Sequence, residues 1–208
     1  MDNKITHYFN QIPFALIMSR LVLGFVVVVL AIIQFSSFRQ IIAALILLGL
    51  ITDIFDGIIA RKLNISSQKL RRMDSSVDQV FWICCLVGAY LVCPEFFSAN
   101  LVKLLILTFV EVLTYVVSFF RFKKEVATHA ISSKIWTLTI MATLIQLVLS
   151  CNSLIIFNVC FYLGIVTRLE IIAILLIIKE WTNDIPSVYH AMLLRRGKAI
   201  KRNKLFNG

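Results

Sequence analysis

The chain has 208 residues, of which 60% are hydrophobic and only 15% are charged. Because an average soluble domain contains about 45–50% apolar and about 25% charged residues, this composition argues against a soluble globular protein. The small numbers of glycine (7) and proline (3) argue against collagen-like and disordered chains. A net charge of +10 would suggest a nucleic-acid partner in a soluble protein. In a membrane protein its distribution between the loops matters more, and we expect no nucleic acid as a partner.

Six apolar segments follow one another along the chain, most of them close to the roughly 20 residues that a helix needs to cross a bilayer. They cover residues 13–35, 41–60, 77–93, 101–120, 135–150 and 154–178. We therefore predict an all-α integral membrane protein, in which residues 1–208 form a single membrane domain of six transmembrane helices with short loops.

The basic residues predict the orientation of these helices. Seventeen of the 21 Lys and Arg residues lie before the first segment, after the sixth, or in the loops that follow the second and fourth segments, whereas the opposite loops contain only Arg39 and Lys103. By the positive-inside rule, both termini are cytoplasmic. The basic tail, residues 179–208, is predicted either as an interfacial helix on anionic headgroups or as a solvated basic segment.

The five cysteines carry no metal or redox signature. They show neither CxxC nor Cys/His spacing, and they are Cys84, Cys85, Cys93, Cys151 and Cys160. We interpret them as apolar side chains that fill space within the helices.

Four of the eleven acidic residues lie within 26 positions, at the ends of the second and third segments. Asp53 and Asp56 are spaced i, i+3, and Asp74 and Asp78 are spaced i, i+4, so each pair shares one face of a helix. Ionisable residues in a span are costly and mark functional sites. Converging carboxylates repel unless cations lie between them, and Mg²⁺ prefers oxygen ligands and bridges carboxylates to substrate phosphates. Structural ion pairs with nearby arginines are the alternative.

The residues that follow Asp56 also suit a phosphate ligand. Gly57 and Ala60 lie on the same face as the first two aspartates and have almost no side chain, which leaves room for a ligand beside the helix. Arg61 then supplies a guanidinium that can bind phosphate through two hydrogen bonds.

The stretch from Asp53 to Asp78 resembles the signature of the CDP-alcohol phosphotransferase (CDP-alcohol phosphatidyltransferase) family. That signature is D-x-x-D-G-x-x-A-R, followed after about eight residues by G-x-x-x-D-x-x-x-D. Seven of its eight fixed positions match, namely Asp53, Asp56, Gly57, Ala60, Arg61, Asp74 and Asp78. Leu70 departs from the pattern, because the family has glycine there.

This resemblance implies a homodimeric enzyme of the cell (inner) membrane, with its active site facing the cytoplasm. Its reaction would transfer a phosphatidyl group from a CDP-alcohol, usually CDP-diacylglycerol, to a small alcohol with release of CMP, in phospholipid biosynthesis. The resemblance assigns one or two Mg²⁺ or Mn²⁺ ions to Asp53, Asp56, Asp74 and Asp78, and the CDP moiety to Asp56, Gly57, Ala60 and Arg61. It makes Asp78 the general base that deprotonates the acceptor alcohol.

Four further cations are candidates for binding the acceptor: Arg20, Arg121, Lys134 and Arg168. The surroundings of Arg20 and Lys134 resemble, respectively, the first helix of the phospholipid-synthesising members and the start of the fifth helix of phosphatidylglycerophosphate synthases. Because a buried cation needs a counter-ion, we expect a phosphorylated polyol acceptor such as glycerol 3-phosphate or an inositol phosphate. Alternatively, Arg168 pairs with Glu111, which lies at a similar depth, and the acceptor is a neutral alcohol.

Two other functions use intramembrane acids. A polyprenyl transferase of the UbiA type binds pyrophosphate through aspartates and magnesium, but its two aspartate motifs are widely separated. A divalent-cation transporter would place acids near the midplane in both halves of the chain, and it leaves Gly57, Ala60 and Arg61 unexplained.

Overall fold

A computed structural model of the protein describes residues 2–62, 68–124, 126, 130–182, 184–198 and 200, with side chains left out for residues 2–11, 60–62, 68, 69, 71 and 72. All regular secondary structure in this part of the chain is α-helical, which confirms the predicted fold class. The helices are α1 (Asp2–Ile33), α2 (Phe38–Lys62), α3 (Gln68–Val92), α4 (Pro94–Ala99), α5 (Leu101–Phe122), α6 (Ile131–Ser150), α7 (Leu154–Ile177) and α8 (Val188–Arg195).

Six of the described helices are long and apolar enough to cross a membrane, as predicted. The stretches are Ile12–Ile33, Phe38–Ile59, Met73–Val92, Leu101–Phe122, Ile131–Ser150 and Leu154–Ile177. The third helix begins well before its predicted span because its first turns are polar and hydropathy alone does not detect them. Large apolar side chains cover the outer surface of α5, including Val102, Phe109 and Phe120. Such a surface belongs in the hydrocarbon of a bilayer.

The chain divides into two compact units, and the first comprises Met1–Phe96 and Leu144–Asn152. Within it, α1 packs against both α2 and α3. Two glycines, Gly24 on α1 and Gly49 on α2, leave room for Phe81 of α3. A Cβ atom on Gly24 would lie 3.3 Å from the backbone of Phe81, and one on Gly49 would lie 2.1 Å from the Phe81 ring. The single membrane domain predicted above stays a prediction.

A disulfide joins Cys93, just after α3, to Cys151, just after α6, with their Cα atoms 5.3 Å apart. Arg39 lies beside this bond and donates a hydrogen bond to the Val148 carbonyl at 3.1 Å. The interpretation of all five cysteines as apolar filler is therefore wrong for these two. The sequence did contain a signal for this pairing, because both cysteines directly follow spans that end on the same side of the membrane. The other three cysteines are buried and free, as expected.

The second unit comprises Phe97–Thr143 and Ser153–Gly208. Helix α5 packs against α7, and α7 packs against α8. A cluster of buried apolar residues holds α8 in place, including Ile171, Ile174, Leu175, Ile178, Ile185 and Ala191. The predicted helix in the tail is therefore present over Val188–Arg195, whereas its interfacial position stays a prediction and residues 201–208 lie outside the described residues.

Candidate active site

The two acidic faces predicted from the sequence meet in the first unit. Asp53 and Asp56 lie one turn apart on α2, and Asp74 and Asp78 lie one turn apart on α3. One carboxylate oxygen from each of Asp53, Asp56 and Asp74 lies within 4.8 Å of the other two. The close approach of α1, α2 and α3 therefore brings together three acids that the chain separates by up to 21 positions.

Burial differs sharply within this cluster. The Asp56 side chain is only 3% exposed, whereas that of Asp53 is 36% exposed. Asp74 and Asp78 are also partly exposed. Asp56 thus forms the buried floor of the cluster, and the carboxylates of Asp53, Asp74 and Asp78 are partly accessible to solvent.

Arg20 of α1 lies among these acids and is 1% exposed. Its Nη1 atom lies 3.1 Å from Oδ1 of Asp53 and 3.1 Å from Oδ1 of Asp74. The same nitrogen also pairs with Asp78, and Nη2 pairs with Asp56. The sequence predicts Arg20 as a candidate for binding the acceptor, and ion pairs with nearby arginines are the alternative for the aspartates; its partners here are carboxylates. Four negative charges and one positive charge give this group of five side chains a formal charge of −3.

The donor atoms of the cluster suit a hard divalent cation. Carboxylate oxygens are preferred by Mg²⁺, and two oxygens on one Mg²⁺ ion lie at most about 4.2 Å apart. The oxygens of Asp53, Asp56 and Asp74 are within 4.8 Å of one another, which is close to this limit. These three acids therefore could hold a metal ion. Asp78, the fourth predicted ligand, is adjacent through its contact with Arg20.

The predicted CDP-binding residues are described only in part. Gly57 directly follows Asp56 on α2 and is half-buried. The side chains of Ala60 and Arg61 lie outside the described residues, although both belong to α2. Leu70, which replaces the glycine of the signature, is half-buried in the first turn of α3.

The other three predicted acceptor cations lie in the second unit. Arg168 pairs with Glu111 at 2.5 Å, as one of the two alternatives predicted, and its guanidinium lies 4.7 Å from the centre of the Trp136 ring. Arg121 is exposed and donates a hydrogen bond to the Ile178 carbonyl at 3.0 Å. Lys134 is exposed at the start of α6.

Protein groups therefore neutralise both of the less exposed candidate cations. Arg20 has the four aspartates, and Arg168 has Glu111. The charges of Arg20 and Arg168 therefore no longer support the expectation of an anionic acceptor. Sequence reasoning missed the aromatic contact of Arg168, because nothing in the local pattern places Trp136 beside a residue 32 positions away.

Comparison with protein families gives a match to the CDP-alcohol phosphatidyltransferase family over residues 10–170. No curated protein and no solved structure matched the chain in the two other comparisons. Proteins of the matched family are transferases of substituted phosphate groups that act on a CDP-alcohol and an alcohol acceptor. They are generally dependent on a divalent metal. The match supports the transferase function over the polyprenyl-transferase and cation-transporter alternatives.

Proposed function

The chain belongs to the CDP-alcohol phosphatidyltransferase family, and we propose that it transfers a phosphatidyl group from CDP-diacylglycerol to a small alcohol, with release of CMP. The observation that carries this proposal is the convergence of Asp53, Asp56 and Asp74. The acids come from both halves of the signature motif, and their convergence gives an all-oxygen site beside a helix face with little side chain at Gly57.

In this proposal Asp53, Asp56, Asp74 and Asp78 hold one or two Mg²⁺ or Mn²⁺ ions. When bound, such an ion supplies Lewis-acid stabilisation of negative charge on the phosphate oxygens. Asp56 lies on the floor of the cluster, where it orients the site, and the partly exposed Asp53 and Asp74 face the incoming substrate. As the family signature implies, Asp56, Gly57, Ala60 and Arg61 bind the CDP moiety, with Arg61 neutralising pyrophosphate charge.

Asp78 acts as the general base on the acceptor alcohol. Its partly exposed carboxylate lies one turn beyond Asp74, on the face of α3 that contacts Arg20 of α1. Asp78 takes the hydroxyl proton while the acceptor oxygen forms a bond to the β-phosphorus. The bond from that phosphorus to the oxygen bridging the two phosphates breaks, and CMP leaves with the electron pair.

Two features support an active site that faces the cytoplasm of the cell. The chain between the second and third apolar stretches is basic, since it contains Arg61, Lys62, Lys69, Arg71 and Arg72, and such basic segments are typical of the cytoplasmic side. The disulfide lies at the other end of α3, 15 residues beyond Asp78 and so about 22 Å away along the helix. Structural disulfides persist in oxidising compartments and are rare in the cytosol. An orientation with the carboxylates inside and the disulfide outside satisfies both rules and places both termini in the cytoplasm.

The identity of the acceptor follows from an assay of purified protein with labelled CDP-diacylglycerol, Mg²⁺ and a panel of alcohols. A phosphorylated polyol is the acceptor first expected from the sequence. A neutral alcohol becomes the better candidate if Arg20 and Arg168 remain paired with carboxylates during turnover. Substitutions Arg20→Gln, Arg121→Gln, Lys134→Gln and Arg168→Gln separate these cases, since an acceptor-binding cation changes the KM for a phosphorylated acceptor and leaves that for CDP-diacylglycerol unchanged.

The same assay tests the function itself. We expect CMP release to require Mg²⁺ or Mn²⁺ and to be lost in Asp53→Ala, Asp56→Ala and Asp74→Ala, while Glu95→Gln, an exposed acid outside the cluster, stays active. Full turnover in excess chelator would contradict the metal site. Light scattering on the detergent-solubilised protein tests the proposed homodimer.

Asp78→Asn tests the general base separately. The amide still accepts hydrogen bonds but takes no proton, so turnover should fall far more than binding of the CDP moiety. Near-normal CMP release by this variant would show that another group deprotonates the acceptor.

A further inference from the structure

Arg20 fills the point at which the four carboxylates converge. Its Nη1 atom is shared between α2 and α3, because it contacts Asp53 on one helix and both Asp74 and Asp78 on the other. Its Nη2 atom pairs separately with the buried Asp56. A single guanidinium thus holds together the acids that would otherwise repel one another across the α2–α3 contact.

The carboxylates that Nη1 contacts include two that a metal ion would need. The contacts of 3.1 Å are made to Oδ1 of Asp53 and Oδ1 of Asp74, and both acids belong to the group of three that could hold an ion. A guanidinium nitrogen has no lone pair with which to coordinate a metal, and two cations on the same carboxylates repel each other. Nη1 and a metal ion therefore compete for these carboxylates.

The hydrogen bonding of Arg20 is also incomplete in this arrangement. Its Nε atom is buried and has no hydrogen-bond partner among the described residues, although buried N–H groups are nearly always paired. The bond from Nη2 to Oδ2 of Asp56 does not involve the more exposed acids. Withdrawal of Nη1 from Asp53, Asp74 and Asp78 therefore needs neither the loss of an Nε bond nor the loss of the contact with Asp56.

We propose that Arg20 and a divalent cation compete for the carboxylates of this cluster, so that metal binding displaces the Nη1 atom of Arg20 from the partly exposed carboxylates. This inference rests on the proposed function, because it takes the carboxylate cluster as the metal site. Arg20 is then a positioning residue. It keeps α2 and α3 together when no metal is bound, and it lowers the apparent affinity for the metal by competing with it.

The test measures metal binding without any CDP-alcohol. Mn²⁺ binding to the purified full-length protein in detergent is followed by electron paramagnetic resonance, for the wild type, Arg20→Gln and Arg20→Lys. Arg39→Gln is the matched control, since Arg39 is an arginine of the same unit whose described contacts lie beside the disulfide. We expect Arg20→Gln to bind Mn²⁺ on the order of tenfold more tightly, within the usual range of coupling between two ligands, and Arg39→Gln to bind it as the wild type does.

Thermal stability supplies a second readout. In excess chelator, Arg20→Gln should unfold at a lower temperature than the wild type, and saturating Mn²⁺ should remove most of this difference. An affinity for Mn²⁺ that is unchanged or weaker in Arg20→Gln would overturn the proposal, as would the absence of Mn²⁺ binding to the wild type at millimolar concentration.

Arg20→Lys tests the proposed competition between Arg20 and the metal ion if Arg20→Gln does not fold. Lysine keeps the charge but replaces the planar fork by a single ammonium, so it cannot reproduce all four contacts and must also bind Mn²⁺ more tightly than the wild type does. Unchanged or weaker binding by a folded Arg20→Lys protein overturns the proposal. The proposed transferase function fails independently, through an absence of CMP release with every acceptor.

Discussion

Gly49→Ala should drive α2 and α3 apart just beside the carboxylate cluster. The new Cβ atom would lie 2.1 Å from Cζ of Phe81 and 2.7 Å from both Cε atoms, whereas ordinary carbon contacts are about 3.5–4.0 Å. The Phe81 ring is only 1% exposed and has little free space in which to move. It must shift by roughly 1.5 Å to restore a normal contact.

Overpacking of this kind costs about 1–3 kcal/mol. In a chain of this size each kcal/mol corresponds to about 2–4 °C in Tm, so thermal unfolding in detergent should show a fall of several degrees. Activity should fall as well. Gly49 precedes Asp53 by one turn and Phe81 follows Asp78 by about one turn, and a misplacement of about 1 Å at a reacting centre can reduce the rate about 100-fold.

The matched control is Leu48→Ala, because Leu48 is the neighbouring residue on α2 and its side chain is exposed. It should leave CMP release unchanged. The double variant Gly49→Ala with Phe81→Leu removes the ring that the new methyl group strikes, so the two substitutions should compensate in part. An unchanged Tm in Gly49→Ala, or strictly additive effects in the double variant, would refute this account of the packing.

Three further predictions concern other parts of the molecule. Glu111→Gln should destabilise the protein by on the order of 3 kcal/mol, because it leaves the Arg168 guanidinium without its carboxylate, and the double variant with Arg168→Gln should be destabilised less. Equal losses of stability for the single and the double variant in thermal unfolding would contradict the ion pair. Replacing Cys93 and Cys151 by serine should abolish the mobility shift between reduced and non-reduced gels. It should also lower the stability by up to about 4 kcal/mol, since the bond closes a loop of 58 residues. A wild-type protein that is prepared with blocked thiols and shows no such shift would contradict the disulfide. Leu70→Gly should keep or slightly improve the affinity for CDP-diacylglycerol, because the family signature has glycine there, and inactivation of a folded variant would show that Leu70 makes a packing contact specific to this chain.

Much of the fold followed from local rules. A bilayer requires about 20 apolar residues for each span, so hydropathy alone placed all six transmembrane stretches within four residues of their ends in the structure. The carboxylate faces were also local, because the helical repeat of 3.6 residues places Asp53 beside Asp56 and Asp74 beside Asp78. Family membership followed as well, since the matching residues lie within one continuous stretch of 26 positions.

Only the tertiary structure decided which groups from distant parts of the chain meet. The sequence contained Arg20 and the four aspartates, but the choice between a phosphate and a carboxylate partner depends on how closely α1 approaches α2 and α3, which small residues such as Gly24 permit. The disulfide also depends on the tertiary structure, because helical periodicity does not indicate which span ends are neighbours across 58 positions. Spacing along one helix is fixed by its covalent geometry, whereas the pairing of helices depends on the mutual fit of whole side-chain surfaces. For that reason the sequence predicted the acids of the site, and the fold supplied their counter-ion.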